Sequence, residues 1–565
     1  MVPVTATQVT AFTYSNASSF LSQLSNFRSD TAPTTIPTLF ETVSEIGEIS
    51  LPAGTAIALK SIDPQLTADA LASSLTQMGT FREVTLYSFA APDFFHDYLK
   101  PLINFKQASV AFQLDSFFIV AENETVAQEI ISCATSGTCL SQAPFFSETS
   151  AQLSTASSLL RLSLQGSVAE SVSRQMESLF GMPSLTESLP NYPLTAHQFT
   201  YDRNFAHVTF LCQESRATGP ALTGGISESF TLQLENGVLM PPQFFSNHRT
   251  GGHDIVVQDM ANKLYLLSSE GKTLWKKQLD NPVLGGIEEV DLLRNGNKQF
   301  AFATKNKVYV LDRTGASVGS FPLQFKDAIT QPLSVFDYDN NRKYRFVVTQ
   351  GDNVLMYGPD GKMIRGFSFK KAKSEIVLPP QHIRMGNKDY IAIAEKNGSL
   401  NLLHRTGRIR VPLASKFQFS EIPIAEEGNA FVVITADNNK VSITQEGKTS
   451  SQALNVSGNY WFTTLGRTKA TLDDNLLRIN GNLAELPFGV YTPPKIVQIG
   501  KQQLITLTET QENKVYVFTT EATLLPGFPV YGTSIAALRQ GSSGERAQLV
   551  VAGPNKEIIL YSWSF

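Results

Sequence analysis

The stretch KVYVLDRTG, residues 307–315, decides the fold. An apolar strand runs through Val308 and Val310 into a polar turn closed by Gly315, and the unit recurs down the second half of the chain. KLYLLSSEG ends at Gly271, NVLMYGPDG at Gly361 and SLNLLHRTG at Gly407, so successive glycines stand 44, 46 and 46 residues apart. KVSITQEG follows at Gly447, with looser copies in NLLRING at Gly481, KVYVFTTEA from Lys514 and EIILYSWSF from Glu557. A preceding strand repeats in register: DIVVQ from Asp254, FAFAT from Phe300, FVVTQ from Phe346, YIAIA from Tyr390, FVVIT from Phe431 and LVVAG from Leu549. Alternation sends Val308 and Val310 to one face, and the glycine supplies the positive φ at which the hairpin reverses. A unit of about 45 residues with this pattern is a propeller blade. A lone blade cannot bury both faces, so blades stack in a ring that must close. SESFTLQLENG, Ser227 to Gly237, is an alternating strand ahead of the first full repeat and is expected to complete the blade that ends at Phe565. The expectation is eight blades, or seven, because Asn455 to Gly500 is degenerate.

Upstream the pattern changes to helical periodicity between strands, an α+β domain over residues 1–215 joined by a linker at 216–226, RATGPALTGG and its neighbour. Asp63 caps and Pro64 opens a helix over DPQLTADALASSLTQM. SVAFQLDSFFIVAE reads as a hairpin, ETVAQEIISCAT as a helix ending at Gly137, Ser147 to Ser158 as a further helix, LLRLSLQ as a strand and Pro183 to Pro193 as loop. Cys212, in HVTFLC, is expected in the core. Cys133 and Cys139 stand close enough to bridge in an oxidising compartment or to remain two small unpaired residues.

A chain of 565 residues, 42% hydrophobic, needs more than one core. No run of apolar residues reaches bilayer length, and Met1 to Thr5 lack the basic and apolar regions of a signal peptide. The net charge of -4 conceals an asymmetry: residues 1–225 hold 9 Lys and Arg against 19 Asp and Glu, the remainder 37 against 31. No concentrated basic stripe appears, so nucleic acid is not an expected partner.

With the blades laid out, EGKTLWKKQL, containing Gly271, Lys272 and Trp275, and the acidic turn VDLLRNGNKQ resemble the PQQ-like, quinoprotein-type propeller repeat over residues 240–565. Trp275 is the only tryptophan in that docking position, so the family's docking pattern has largely decayed. PQFFSNHRTGGHDIVVQDMANKLYLL together with FFIVAENETVAQEIISCATSGTCLSQAPFFSETSAQL resembles a group of Bacteroidota cell-envelope proteins whose N-terminal domain has no assigned function. That resemblance implies an exported protein of the periplasm or outer membrane, anchored through a segment beyond the given residues.

The resemblance to quinoproteins implies a quinone cofactor, calcium and a cysteine pair above it, but residues 226–565 contain no cysteine. No cofactor is expected. Asp337, Asp339 and Asn341 space three oxygen side chains as a calcium loop begins, although Arg342 stands where that loop needs glycine and Val348 where it needs glutamate. Asp and Asn in this pattern also build plain tight turns. The corresponding turn one blade earlier keeps only Asp291 and Asn295. His248 and His253, beside Asp254, offer metal ligands without a third nearby, and with Arg249 they form a candidate contact for a ligand or partner. Glu288–Glu289 and Glu426–Glu427 are sequence neighbours that point to opposite faces of a strand. No nucleophile elbow, phosphate loop or zinc-protease helix occurs. The expectation is a non-enzymatic envelope scaffold binding protein partners through propeller faces, in an outer-membrane assembly or secretion complex. The alternative is a glycan- or peptide-binding module using the central channel.

Overall fold

The computed structural model describes the chain apart from residues 30–35, 137–138, 144–145, 147–149, 155–156, 165–193, 203–204, 214–225, 457–459, 542–545 and 565. The expected loop at 183–193 and all of the expected linker except Ile226 lie outside the described residues. Two compact units emerge, Met1–Gly225 and Ile226–Phe565.

The first unit is built on one antiparallel sheet of β1 (Gln8–Thr13), β2 (Val43–Leu51), β3 (Gly54–Ser61), β4 (Leu75–Phe81), β5 (Val84–Phe89), β6 (Val110–Leu114), β7 (Phe117–Ala121), β8 (Leu159–Ser163), β9 (Leu194–Asp202) and β10 (Phe205–Gln213). The strands lie in the order β10-β9-β8-β1-β2-β3-β7-β6-β5-β4. Both faces of its centre are covered. Ala56 and Ala58 of β3 join Ile119 and Ala121 of β7 against α4 (Glu124–Ser136), through Val126, Ala127, Ile130 and Ile131. The alternate residues Ile57, Leu59, Phe118 and Val120 face the opposite layer, which holds α1 (Ala17–Arg28), α2 (Pro64–Leu71) and α3 (Phe94–Leu99). Such continuous burial explains why these strands read as apolar runs rather than as alternation.

Several local expectations change. Asp63 does cap α2, accepting from the N–H groups of Gln65 and Leu66, but the helix stops at Leu71. The residues after it form β4, because Leu75 pairs with Phe89 and Thr76 with Ser88 on β5. Of the expected helix 147–158, Ser150 is helical, residues 151–153 form a turn and bend, Ser157 and Ser158 lead into β8, and 147–149 and 155–156 lie outside the described residues. Cys212 sits on the edge strand β10 and is only half-buried. Cys133 and Cys139 form a disulfide.

The second unit is an eight-bladed propeller. Each blade is a short antiparallel sheet whose strands are called A to D from the axis outward. The A strands are Val238–Ser246, Glu288–Val290, Ser334–Phe336, Gln381–Met385, Ala425–Glu427, Tyr460–Leu465, Lys495–Ile499 and Ala537–Gln540 for blades 1 to 8. Blade 6, Tyr460 to Glu485, is a full four-stranded sheet, which settles the count at eight. Strand β11 (Ser227–Gln233) is the outer strand of blade 8, pairing Leu232 with Ile558 and Thr231 with Ile559, and so it closes the ring.

Period-two alternation does the packing. On strand C of blade 2 (Lys307–Leu311), Val308 and Val310 join a cluster with Phe346 and Val348 of blade 3. Tyr309 and Leu311, one residue out of phase, join Val256 and Leu266 of blade 1. The same division recurs around the ring, giving an apolar cluster at each of the eight junctions. The turn glycines of blades 1 to 5 dock across these junctions. A Cβ on Gly315 would lie 3.2 Å from the Trp275 ring and one on Gly271 2.9 Å from the Phe230 ring. Phe230 of β11 therefore does for blade 1 what Trp275 does for blade 2, while Gly361, Gly407 and Gly447 meet Ser320, the Ser368–Phe369 backbone and Pro412 instead of an aromatic ring.

Candidate functional site

Because the strands of a blade are antiparallel, A–B and C–D connections emerge at one end of each blade and B–C connections at the other. The A–B connections are unequal. In blades 4 to 7 they are two-residue turns, Gly386-Asn387, Gly428-Asn429, Gly466-Arg467 and Gly500-Lys501. In blades 1, 2 and 3 they are the longer stretches 247–252, 291–298 and 337–344, and in blade 8 residues 542–545, between the two strands, lie outside the described residues. One contiguous sector of one face thus carries extended loops on otherwise equivalent strands. The residues singled out by the sequence, His248, Arg249, His253, Asp337, Asp339 and Asn341, all belong to it, on blades 1 and 3.

The loops of blades 2 and 3 share one internal plan. Asp291 accepts from the N–H groups of Asn295 and Gly296 at 3.1 and 3.0 Å, and Asn295 Oδ1 accepts from Asn297. Asp337 accepts from Asn341 and Arg342 at 3.1 and 2.8 Å, and Asn341 Oδ1 accepts from Lys343. Arg342 takes the place of Gly296 with φ 63°, a left-handed backbone held by those bonds. The third candidate oxygen, Asp339, pairs with Arg405 at 2.8 Å. The three proposed calcium ligands therefore bond backbone and arginine. Among the described residues no group of three or more His, Cys, Asp or Glu side chains is placed to hold a metal ion.

In the blade 1 loop His248 and Arg249 are exposed, and buried Asn247 organises the turn by accepting from Arg249 and Thr250. His253 instead packs edge-on against Phe244, and its Nδ1 is buried without a partner among the described residues. Burial, then the nearby Arg539 cation, pushes it down to about 4, so it is neutral near pH 7. Beside it Glu289 of blade 2 accepts from Ser246 N at 2.8 Å, Ser246 Oγ at 2.6 Å and Arg539 Nη1 at 2.9 Å. Arg539 Nη2 also donates to Ser246 Oγ at 2.8 Å, so blades 8, 1 and 2 meet in one charged clamp.

Arginines tie neighbouring blades together along the same sector. Arg313 of blade 2 pairs at 2.6 Å with Asp254 of blade 1, and Arg342 of blade 3 pairs at 2.8 Å with Asp291 of blade 2. Arg405 of blade 4 reaches Asp339 of blade 3 while also holding Asp389 of its own blade. Burial opposes ionisation of Asp389, but hydrogen bonds from His382, at 2.7 Å, and from Arg405 outweigh it and hold the carboxyl below its usual range. Arg405 stacks 4.9 Å from the centre of the Tyr338 ring. Around Tyr338 opens a cleft of about 270 Å³ between blades 3 and 4, lined by Lys343, Arg345, Arg405, Met356 and Ile364 among others. Sequence reading missed Tyr338 and Arg405, which stand far apart in the chain.

Glu288 and Lys495 lie on the A strands of blades 2 and 7, and each is the main opposite charge felt by the other. Desolvation raises the Glu288 carboxyl and lowers the Lys495 ammonium, although both side chains touch solvent. Side chains that are wet yet ringed by protein fit the wall of a central channel. Glu289, by contrast, points into the clamp, so the two adjacent carboxylates do diverge.

No family model and no curated protein matches the chain. Solved structures with some likeness include the computationally designed Ika8 protein, at 15% identity and TM-score 0.41, covering 59% of this chain and 98% of that one. The structure of BBS1N in complex with ARL6DN is 14% identical, with TM-score 0.38 and coverage of 60% and 97%. BamB from Moraxella catarrhalis is 12% identical, with TM-score 0.39 and the same coverage.

Proposed function

We propose that the chain is a non-enzymatic scaffold of the cell envelope, periplasmic or outer-membrane associated, whose propeller engages protein partners in an outer-membrane assembly or secretion complex. The observation that carries the reading is the sector of long A–B loops. Loops on a rigid framework are where recognition concentrates, and these are anchored at both the hub and the blade junctions. The Cys133–Cys139 disulfide supports export to an oxidising compartment, and among the described residues no helix is long and apolar enough to cross a membrane. The test is affinity capture from detergent-solubilised envelopes using the full chain carrying an export signal. It is compared with a variant whose loops 291–298 and 337–344 are each shortened to an Asn-Gly turn. A stable envelope partner captured by the first and lost by the folded second is expected; equal capture by both refutes the reading.

The facing charges of Glu288 and Lys495 favour a second reading, in which the central channel holds a polar glycan or peptide. Ligand protection that disappears with Lys495→Met and persists in the loop-shortened variant would support it.

A further inference from the structure

We propose that the cleft between blades 3 and 4 is a recognition pocket for a peptide segment in which a carboxylate side chain adjoins an apolar one. The inference rests on the scaffold reading and names where, and by what chemistry, the partner is held.

The floor of the cleft is apolar. Met356, 3% exposed, and half-buried Ile364 belong to the cluster that joins blades 3 and 4. Its rim is cationic, and the cations differ in how far they are neutralised. Arg405 is shared by Asp339 and Asp389 and is fixed against the Tyr338 ring. Its charge is therefore already matched. Arg345 donates only to the carbonyl oxygens of Lys343 and Tyr344, at 3.3 and 3.0 Å, and has no carboxylate partner among the described residues. Lys343 is exposed and has no ion pair among them either. Two positive charges thus face the opening without a counter-ion, one of them with its guanidinium oriented by the backbone.

Tyr338 supplies an independent sign. It lines the cleft, is 8% exposed, and its hydroxyl has no hydrogen-bond partner among the described residues, a rare condition for a buried polar group. Arg345 and Arg405 both act electrostatically on that hydroxyl. A carboxylate seated between Arg345 and Lys343 brings the acceptor that this donor lacks. Asp339 repels an anion at the Arg405 end, so the carboxylate belongs at the Lys343 end and the apolar neighbour over Met356 and Ile364.

The size and lining choose among ligands. A volume of about 270 Å³ exceeds what a lone carboxylate or phosphate fills, and a bare anion leaves the apolar floor uncovered. A single-stranded nucleic acid needs a longer basic track with exposed aromatic faces, whereas the Tyr338 ring is covered by Arg405 and His382. An acidic-apolar peptide meets the rim and the floor together.

The test uses the full chain and a library of fluorescein-labelled octapeptides, each with one aspartate or glutamate flanked by leucine, isoleucine or phenylalanine. Fluorescence anisotropy is read at low and at high salt. Controls are the same peptides with amides in place of the acids, and an oligothymidine. At least one acidic peptide is expected to bind about tenfold or more tightly than its amide counterpart, with affinity falling as salt rises. Lys343→Gln, at an exposed position, weakens that binding several-fold, Lys343→Glu abolishes it, and Lys501→Gln on the blade 7 turn leaves it unchanged. Failure of every acidic peptide, indifference to Lys343→Glu in a protein with an unchanged unfolding midpoint, or stronger binding of the oligothymidine overturns the inference. The envelope capture is run in parallel. A captured partner with no peptide binding sinks the pocket alone, while peptide binding with no captured partner sinks the scaffold reading and leaves the pocket standing.

Discussion

Replacing Gly407 by alanine measures what cross-blade docking contributes, provided it is compared with Gly296→Ala. Both glycines have nearly the same left-handed backbone, φ 82° and 86°. Each alanine therefore incurs the same conformational penalty, about 1–2 kcal/mol. They differ in what a Cβ meets. At Gly296 nothing among the described residues lies within 4 Å. At Gly407 the new atom stands 2.5 Å from the backbone nitrogen of Phe369 and 2.8 Å from that of Ser368. Those are main-chain atoms of the preceding blade, tied by Ser368 N and Oγ to Thr406 O at 2.8 and 3.0 Å, so no side-chain rotation relieves the clash. Overpacking of this kind costs about 1–3 kcal/mol beyond the φ term. Gly407→Ala is expected to lose about 2–5 kcal/mol and Gly296→Ala about 1–2. The assay is denaturant unfolding followed by tryptophan fluorescence, and the three tryptophans, Trp275, Trp461 and Trp563, all lie in the propeller. The signal thus reports that unit without the first domain, which matters where two-state behaviour is assumed. Losses within about 0.5 kcal/mol of each other would refute the docking argument.

Other perturbations probe the ring in the same assay. With its folded value near 4 and an unfolded value near 6.5, His253 binds fewer protons in the folded state across that interval. Stability should therefore fall as pH drops from about 6.5 to about 4, by at most about 3 kcal/mol and less after allowance for partial exposure. His253→Phe should flatten that slope, and an unchanged slope would exclude His253 as its source. Arg539→Met should cost about 1–2 kcal/mol by releasing Glu289, with little further loss in a Glu289→Gln background; full additivity would dismiss the clamp. Asp291→Ala should be more damaging than Arg342→Ala, because it orphans two loop N–H groups as well as an ion pair, and the reverse order would contradict the loop geometry. Among the described residues the fully buried cluster at the junction of blades 5 and 6 is the small set Ile422, Val432, Ile434 and Phe462, so amides of Ala430–Ile434 and Tyr460–Leu465 should exchange faster than those of Gln299–Ala303. Uniform protection in exchange mass spectrometry would show that this junction is no weaker than the rest.

The propeller was readable because its determinants are local. Most blades encode two apolar strands and a turn glycine within a few dozen residues, and in blades 1 to 5 the glycine at the C–D turn answers both to its φ and to the neighbouring blade. Blade 6 was the hardest to see because its apolar cluster with blade 5 is small and Glu427, bridging Lys440 and Lys469, adds an ionic contact beside it. The first domain resisted because its sheet order depends on pairings distant in sequence, such as β1 with β8. Its first helix, α1, went unnoticed because ASSFLSQLSNFR is rich in Ser and Asn, residues that local propensity assigns to turns, and only Leu21, Leu24 and their neighbours mark the buried face. The candidate sites divide likewise. Asp337 and Asn341 announce a structured loop by their spacing, whereas the Tyr338–Arg405 stack and the Glu289–Arg539 clamp join residues that only ring closure brings together.

The long loops stand on carboxylates, and this follows from the shape of a propeller. Between the blades, apolar side chains fill the wedge, but at the blade ends the strands diverge and too little apolar surface remains to fix a loop. A buried charge there is tolerable only if its desolvation is offset by several directed bonds. Asp254, Asp291 and Asp389 meet that condition at 1%, 0% and 4% exposure, each with its own hydrogen bonds within the blade and one arginine. For Asp254 and Asp291 the arginine comes from the next blade, so the loops of blades 1 and 2 borrow rigidity from their neighbours. The sector best able to hold a partner is therefore the one whose loops are least independent of one another, and it is there that Lys343 and Arg345 keep charges that no carboxylate among the described residues takes up.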